Sequence, residues 1–232
     1  MGRVFTAVLL AVVVLAGSTS HAGSVSIPGL GGDLQVNLTS FQERRFSAII
    51  RQQYDYSCGS AALASLLSYH YEHPVTEAEV FSRMLSLADP AKVQQEGFSM
   101  LDMKRYLASE GYLADGFRMD LDGLRERVAI PVVVLLTRDS FRHFVIIKGI
   151  SANEVLVGDP AKGMAIYDRQ TFLESWDGIA FVIRNHLETG RASFRPRDQW
   201  PSIARAPIGR DSASGRMPVG HEMARWPAYL EW

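Results

Sequence analysis

Cys58, His143 and Asp159 are of residue types that could supply a nucleophile, a base and an orienting acid. Cys58 is the single cysteine of the chain, and the apolar run after it predicts a buried helix that begins near the cysteine. A helix N-terminus carries free backbone N–H groups and the positive end of the dipole, and both stabilise a thiolate. A lone cysteine in an apolar helix can also be an inert core residue, so its role depends on its partners.

His143 and Asp159 lie at the two ends of a predicted β-hairpin. His143 opens one apolar strand, and Asp159 follows the next strand, before Pro160. Because a hairpin places the start of one strand beside the end of its neighbour, we expect the two side chains to be cross-strand neighbours. A thiol needs a base to take its proton, and the base needs a group that fixes its tautomer. The alternative is that His143 is an ordinary strand-end histidine and Asp159 an ordinary turn residue.

The elements that must position these residues predict an α+β fold. Capping residues and apolar periodicity predict helices over 58–71, from Thr76 to about Leu87, from Ser99 to Gly111 and from Asp120 to Val128. Short β-branched runs then predict strands at 130–136, 144–150, 154–157, 164–167 and 179–183. Helices first and strands second indicate helices packed on an antiparallel sheet.

Both ends of the chain differ in composition from its middle. Residues 1–22 are typical of a signal peptide, with Arg3, an apolar run and small residues around a cleavage site after Ala22. The apolar run is short for a membrane span, so we expect cleavage and export, with no span left in the mature chain. Residues 23–49 are expected to be an N-terminal lead-in segment, which is flexible over its part at 23–33, rich in Gly, Ser and Pro, and alternates in polarity at 34–38. Residues 185–232 hold five of the ten prolines and predict an irregular tail, packed in part through Trp200 or Trp226.

Composition excludes several classes of protein. Of the 232 residues, 47% are hydrophobic and 21% charged, which is typical of a globular chain. The net charge of −1 provides no basic surface for nucleic acid. One cysteine rules out an internal disulfide framework and a zinc site made of several cysteines.

Two motifs give the chain a resemblance to a known family. The segment 52–61, QQYDYSCGSA, is similar to the active-site segment of the double-glycine leader peptidases, the papain-like cysteine peptidases that process bacteriocins. That family has a glutamine six residues before a Cys-Gly-x-Ala motif, as Gln52 stands before Cys58. It also has a histidine sixteen residues before an Asp-Pro pair, as His143 stands before Asp159. The resemblance covers about residues 50–184, which we take as the peptidase domain.

The resemblance implies a role for each matched residue. Cys58 would be the nucleophile, His143 the base and acid, Asp159 the orienting group and Gln52 the oxyanion donor. Gln53 is adjacent to Gln52 and is the alternative donor. The family usually has an acidic residue immediately before the cysteine, where this chain has Ser57.

The resemblance also implies a papain-like fold and a function. The chain resembles free-standing secreted members of the family that occur in operons for exported amyloid-forming proteins. We therefore expect a periplasmic cysteine peptidase, without a cofactor, that cleaves an exported or amyloid-forming polypeptide, or one of its secretion machinery, after small or double-glycine residues. A peptidase-like protein that only binds or chaperones such a partner is the alternative. A papain-like acyl transferase would share the same residues.

Overall fold

Two short strands near the N-terminus pair with each other. The structure is a computed structural model, and it describes residues 24–27, 34–37, 40–138, 141–194 and 200. Strand β1 (Ser24–Ile27) pairs antiparallel with β2 (Leu34–Asn37). The expectation of a flexible stretch over 23–33 is wrong for residues 24–27, because polar and apolar residues alternate there and favour a strand, as they do at 34–37. The expected signal peptide and Trp226 lie outside the described residues.

Helices dominate the chain from residue 41 to residue 110. They are α1 (Phe41–Arg45), α2 (Cys58–His70), α3 (Glu77–Leu87), α4 (Pro90–Glu96) and α5 (Met100–Ser109). The capping box of Thr76 and Glu79 begins α3, and that of Ser99 and Asp102 begins α5, as the sequence predicts. Helix α4 was not predicted, although Asp89 caps it and Pro90 is its first residue.

The second half of the chain contributes a six-stranded antiparallel sheet. Its strands are β3 (Ala114–Arg118), β4 (Val132–Arg138), β5 (Phe141–Ile150), β6 (Glu154–Asp159), β7 (Gly163–Asp168) and β8 (Trp176–Ile183), in the order β3-β8-β4-β5-β6-β7. The predicted α+β fold is thereby confirmed. Strand β3 was not predicted, because its sequence ADGFR contains a glycine and no β-branched residue.

Shorter helical elements connect and follow the strands. They are α6 (Leu121–Gly123), a π-helical turn (Leu124–Val128), α7 (Arg169–Leu173) and α8 (Leu187–Ala192). The single helix predicted from Asp120 to Val128 is wrong in its second half, where the backbone changes to π-helical bonding and ends at Ala129 in the left-handed conformation. Helix α7 was not predicted.

The core lies on both faces of the sheet. Helix α2 packs on one face, where its apolar residues meet a cluster that includes Phe144, Ile146 and Leu156. The other face carries a second cluster that includes Val145, Ile147, Val157, Phe172 and Trp176. Eleven of the thirteen residues of α2 are buried, which explains why its apolar residues cover nearly its whole circumference.

The core extends beyond the expected domain limits of residues 50 and 184. Ala48 and Ile49 are buried in the first cluster, and Phe194 is buried in the second. The expectation of an irregular tail is wrong for residues 187–192, which form α8. The sequence did not indicate this helix because a pattern of six residues is too short. Trp200 packs, partly buried, against the first cluster, as expected.

The turn that joins β6 to β7 depends on a glycine, and its replacement should destabilise the fold. Gly163 has a φ of +87°, and a Cβ atom there would lie 2.6 Å from the backbone oxygen of Arg45. We expect Gly163→Ala to lower the free energy of unfolding by about 1–3 kcal/mol, as measured by denaturant unfolding. Gly111→Ala is the matched control, because its φ is +82° but no atom lies within 4 Å of the added Cβ. Equal losses in the two variants would contradict the role of the Arg45 contact.

Candidate active site

Cys58 is the first residue of α2, at a helix end where the N-cap residue makes no side-chain capping bond. Its side chain is mostly buried, with the residue 9% exposed. Ser57 occupies the N-cap position, but its hydroxyl makes no capping bond to the helix. The first-turn N–H groups of α2 are therefore left for other acceptors near the cysteine, such as a thiolate or an oxyanion.

His143 and Asp159 are joined by a hydrogen bond across β5 and β6. The Nε2 atom of His143 lies 2.7 Å from Oδ1 of Asp159, and both residues are buried. His143 is the third residue of β5 rather than its first, because the strand begins at Phe141. The register pairs Ile146 with Gly158, so the two side chains meet diagonally rather than directly opposite each other.

The bond to Asp159 determines which nitrogen of His143 is left for chemistry. Nδ1 of His143 is buried and has no hydrogen bond of normal geometry within the described residues. The Asp159 carboxylate accepts only, so it holds the hydrogen on Nε2 and leaves Nδ1 to exchange a proton. The same carboxylate oxygen accepts from the backbone N–H groups of Ala161 (2.8 Å) and Lys162 (3.1 Å).

The environment of the site shifts the pKa values of His143 and Asp159. Burial lowers the pKa of His143, but the hydrogen bond to Asp159 and the interaction with Cys58 raise it, and the pKa lies at about 9. Burial raises the pKa of Asp159, but the bonds from His143 and from two backbone amides lower it below its ordinary value. The site therefore favours a charged imidazolium beside a carboxylate at neutral pH.

Gln52 and Gln53 are held by different parts of the fold. The backbone N–H of Gln52 donates to the carbonyl oxygen of Pro160 (3.0 Å), and its side-chain Nε2 donates to that of Tyr54 (3.0 Å). One N–H of this amide group remains for another acceptor. Gln53 is exposed, and its backbone N–H donates to the carboxylate of Glu77.

Glu77 is a residue near the cysteine that the sequence did not single out. It is the first residue of α3, and it lies buried against Ser57 and Gln53. The capping box from Thr76 to Glu79 predicted only a helix start. The one signal for a further role of Glu77 was that it is a glutamate outside the capping pair, and this signal is weak.

Aromatic side chains surround the site on two sides. Phe141, which is 63% exposed, stacks on the ring of His143 with centroids 5.8 Å apart. Tyr54, which is 52% exposed, stacks on Tyr56 at 5.7 Å, and both rings contact Phe81. The chain thus presents exposed aromatic surface immediately before Cys58.

The described residues offer no candidate metal centre and no candidate membrane span. No group of three or more histidine, cysteine, aspartate or glutamate side chains comes together there as metal ligands would. No helix in the same residues has the length and apolarity that a membrane span requires.

The sequence and the fold together identify the family. The model of the peptidase C39 family matches residues 47–188. The chain belongs to this family. Its members are cysteine peptidases, so the predicted enzyme class and the predicted resemblance to double-glycine leader peptidases are confirmed. The catalytic role of each individual residue stays a prediction.

Named relatives agree with the family. The chain is 39% identical over 205 residues to the "Probable functional amyloid protease FapD" of Pseudomonas aeruginosa, with 87% of this chain and 89% of the relative covered. It is 41% identical over 176 residues to the protein of the same name from Pseudomonas fluorescens, with 75% and 77% covered. The peptidase domain of Streptococcus ComA, a bifunctional ABC transporter in a quorum-sensing pathway, has the same fold. The TM-score is 0.50 and the identity 21%, with 59% of this chain and 96% of that domain covered.

The pKa of His143 should depend on Asp159. In Asp159→Ala the bond that raises the pKa is lost while burial remains, so the midpoint should fall from about 9 toward the ordinary value of 6.5. NMR titration of the histidine ring protons measures this, and His143→Gln identifies the signal. A midpoint that stays near 9 in Asp159→Ala would show that Asp159 does not set the protonation of His143.

Proposed function

We propose that Cys58, His143, Asp159 and Gln52 form the catalytic site of this cysteine peptidase. The observation that carries the proposal is the hydrogen bond from His143 Nε2 to Asp159, which leaves Nδ1 open in a chain with a single cysteine. That cysteine begins a helix whose N-terminus is uncapped. Nucleophile, proton acceptor and orienting acid are then all supplied.

In this proposal, catalysis has two steps. The Cys58 thiolate attacks the carbonyl carbon of the peptide bond, and the imidazolium of His143 gives its Nδ1 proton to the leaving amine, which produces a thioester. A water then gives a proton to Nδ1 and attacks the thioester, which releases the acid product and restores the Cys58 thiolate beside the imidazolium of His143. Each tetrahedral intermediate carries a negative oxygen, which the side-chain amide of Gln52 and the backbone N–H of Cys58 stabilise.

The proposed substrate is an exported polypeptide, cleaved in the periplasm after small or double-glycine residues. The signal-peptide pattern of residues 1–22 supports export. The names of the two Pseudomonas relatives support an amyloid-forming partner. A component that only binds such a partner would not cleave it through Cys58. A comparison of cleavage by the wild type and by Cys58→Ser separates the two functions.

Replacement of the nucleophile should abolish cleavage and preserve the fold. Cys58→Ser changes the side-chain volume little, so its melting temperature should stay close to that of the wild type, while hydrolysis falls by orders of magnitude. The measurement is mass spectrometry of the products from a polypeptide with a double-glycine leader. Equal cleavage by both proteins would remove Cys58 from the mechanism. An intact substrate with the wild type, together with stable binding, would favour the non-cleaving component.

The two glutamines should differ in their effect on catalysis. Gln52→Ala should lower kcat on the order of 10²- to 10³-fold, because one oxyanion donor is lost. Gln53→Ala is the matched control, since its contact to Glu77 uses the backbone N–H and survives the substitution. The comparison is kcat for both variants on one peptide. A larger loss in Gln53→Ala would transfer the oxyanion role to that residue.

A further inference from the structure

Resting on the proposed function, we propose that Glu77 is a positioning residue that holds both oxyanion donors in place from a neighbouring helix. One of these donors is the side chain of Gln52, and the other is the N–H of Cys58 at the start of α2. Glu77 contacts neither donor directly. It acts through Gln53 on one side and through Ser57 on the other.

The carboxylate of Glu77 is buried and fully engaged by the segment that precedes Cys58. The residue is 3% exposed. Its two oxygens lie 3.2 and 3.1 Å from the backbone nitrogen of Gln53, and Oε1 lies 2.5 Å from the hydroxyl of Ser57. A buried carboxylate is costly without such donors, and hydrogen bonds to an ionised group are the stronger kind. The hydrogen bonds of Glu77 to Gln53 and Ser57 therefore restrict the conformation of the segment that precedes Cys58.

The contact with Ser57 keeps the N-terminus of α2 uncapped. A serine at the N-cap usually has extended backbone angles and accepts a hydrogen bond from the first turn. Here Ser57 has φ −97° and ψ 11°, its hydroxyl faces Glu77, and it accepts from the backbone N–H of Tyr54 (3.1 Å). The first-turn N–H groups of α2 are consequently free for the oxyanion. A carboxylate from α3 thus stands beside the position where related peptidases have an acidic residue.

The contact with Gln53 completes the hold on Gln52. The backbone N–H of Gln52 is bound to Pro160, at the turn after β6, and the next N–H in the chain is bound to Glu77. Two successive peptide groups are thereby attached to two different elements. This fixes the backbone at Gln52, and with it the direction in which its side chain leaves.

Helix capping does not account for Glu77. The exposed Glu79, two residues later, makes the capping box with Thr76 and satisfies the start of α3. Glu79 and Glu77 therefore provide a matched pair on one helical turn. One carboxylate stabilises the helix and the other faces the site.

The test compares Glu77→Gln with Glu79→Gln in the full chain. Glu77→Gln replaces one accepting oxygen and the negative charge by an amide NH₂ group, so the hydrogen bonds from Gln53 and Ser57 are weakened. We expect kcat for a peptide amide to fall about 10- to 100-fold, less than the loss of a donor itself, with KM within about twofold. The rate of Cys58 alkylation by iodoacetamide should stay within about threefold, because alkylation forms no oxyanion. Glu79→Gln should keep kcat within about twofold and the melting temperature close to that of the wild type, because glutamine can also complete the capping box.

A double-mutant cycle and an exchange measurement complete the test. Ser57→Ala combined with Glu77→Gln should be no slower than the slower single variant, because both remove the same contact. An unchanged kcat in Glu77→Gln would overturn the proposal, and so would parallel losses of kcat, alkylation rate and melting temperature. If the wild type cleaves no peptide, the proposed function fails on its own. Slow hydrogen exchange at the Gln53 amide, lost in Glu77→Gln, would then still support the positioning, and equal exchange in the two proteins would contradict it.

Discussion

A carboxylate buried at the end of β6 must have hydrogen-bond donors, and the arrangement of the site follows from this requirement. Asp159, which is 2% exposed, takes one bond from His143 and two from the backbone of the turn that follows it. The backbone bonds fix the turn, and the side-chain bond fixes the ring and its tautomer. The same turn presents the carbonyl oxygen of Pro160 to Gln52, so one buried group orders both the ring of His143 and the segment that carries Gln52.

The segment from residue 46 to residue 57 belongs to no helix or strand, yet it leads directly into Cys58 and is held in place. Tertiary hydrogen bonds take the place of regular structure. They join Ala48 to Lys148, Ile50 to Ser65, Gln52 to Pro160 and Gln53 to Glu77. The sheet, α2 and α3 therefore all contribute to one irregular stretch of chain. This explains how an irregular segment can hold the side chain of Gln52 in a fixed position, as the proposed oxyanion role requires.

The residues of the candidate site that the sequence could predict were those with a recognisable local pattern. Cys58 stood out as the single cysteine before an apolar helix, and the spacing of His143 and Asp159 matched a hairpin. Glu77 was missed because its partners lie 20 and 24 residues away, and nothing in the local sequence links them. Strand β3 and helix α8 were missed for a different reason. Their short sequences have little propensity of their own, and packing against the remainder of the fold determines their structure.

The central claim is that Cys58 forms a covalent thioester with its substrate. Asp159 orders the histidine that takes part in this step, and Glu77 orders the proposed oxyanion donors. The most direct measurement is intact-protein mass spectrometry after rapid acid quenching of the full chain with a peptide ester that ends in Gly-Gly. The account predicts an added acyl mass that subsequent digestion places on the fragment containing Cys58, which hydroxylamine removes and which forms in the first turnover without exceeding one acyl group per chain. Ester turnover without any adduct on that fragment, or an adduct on another residue, would contradict it.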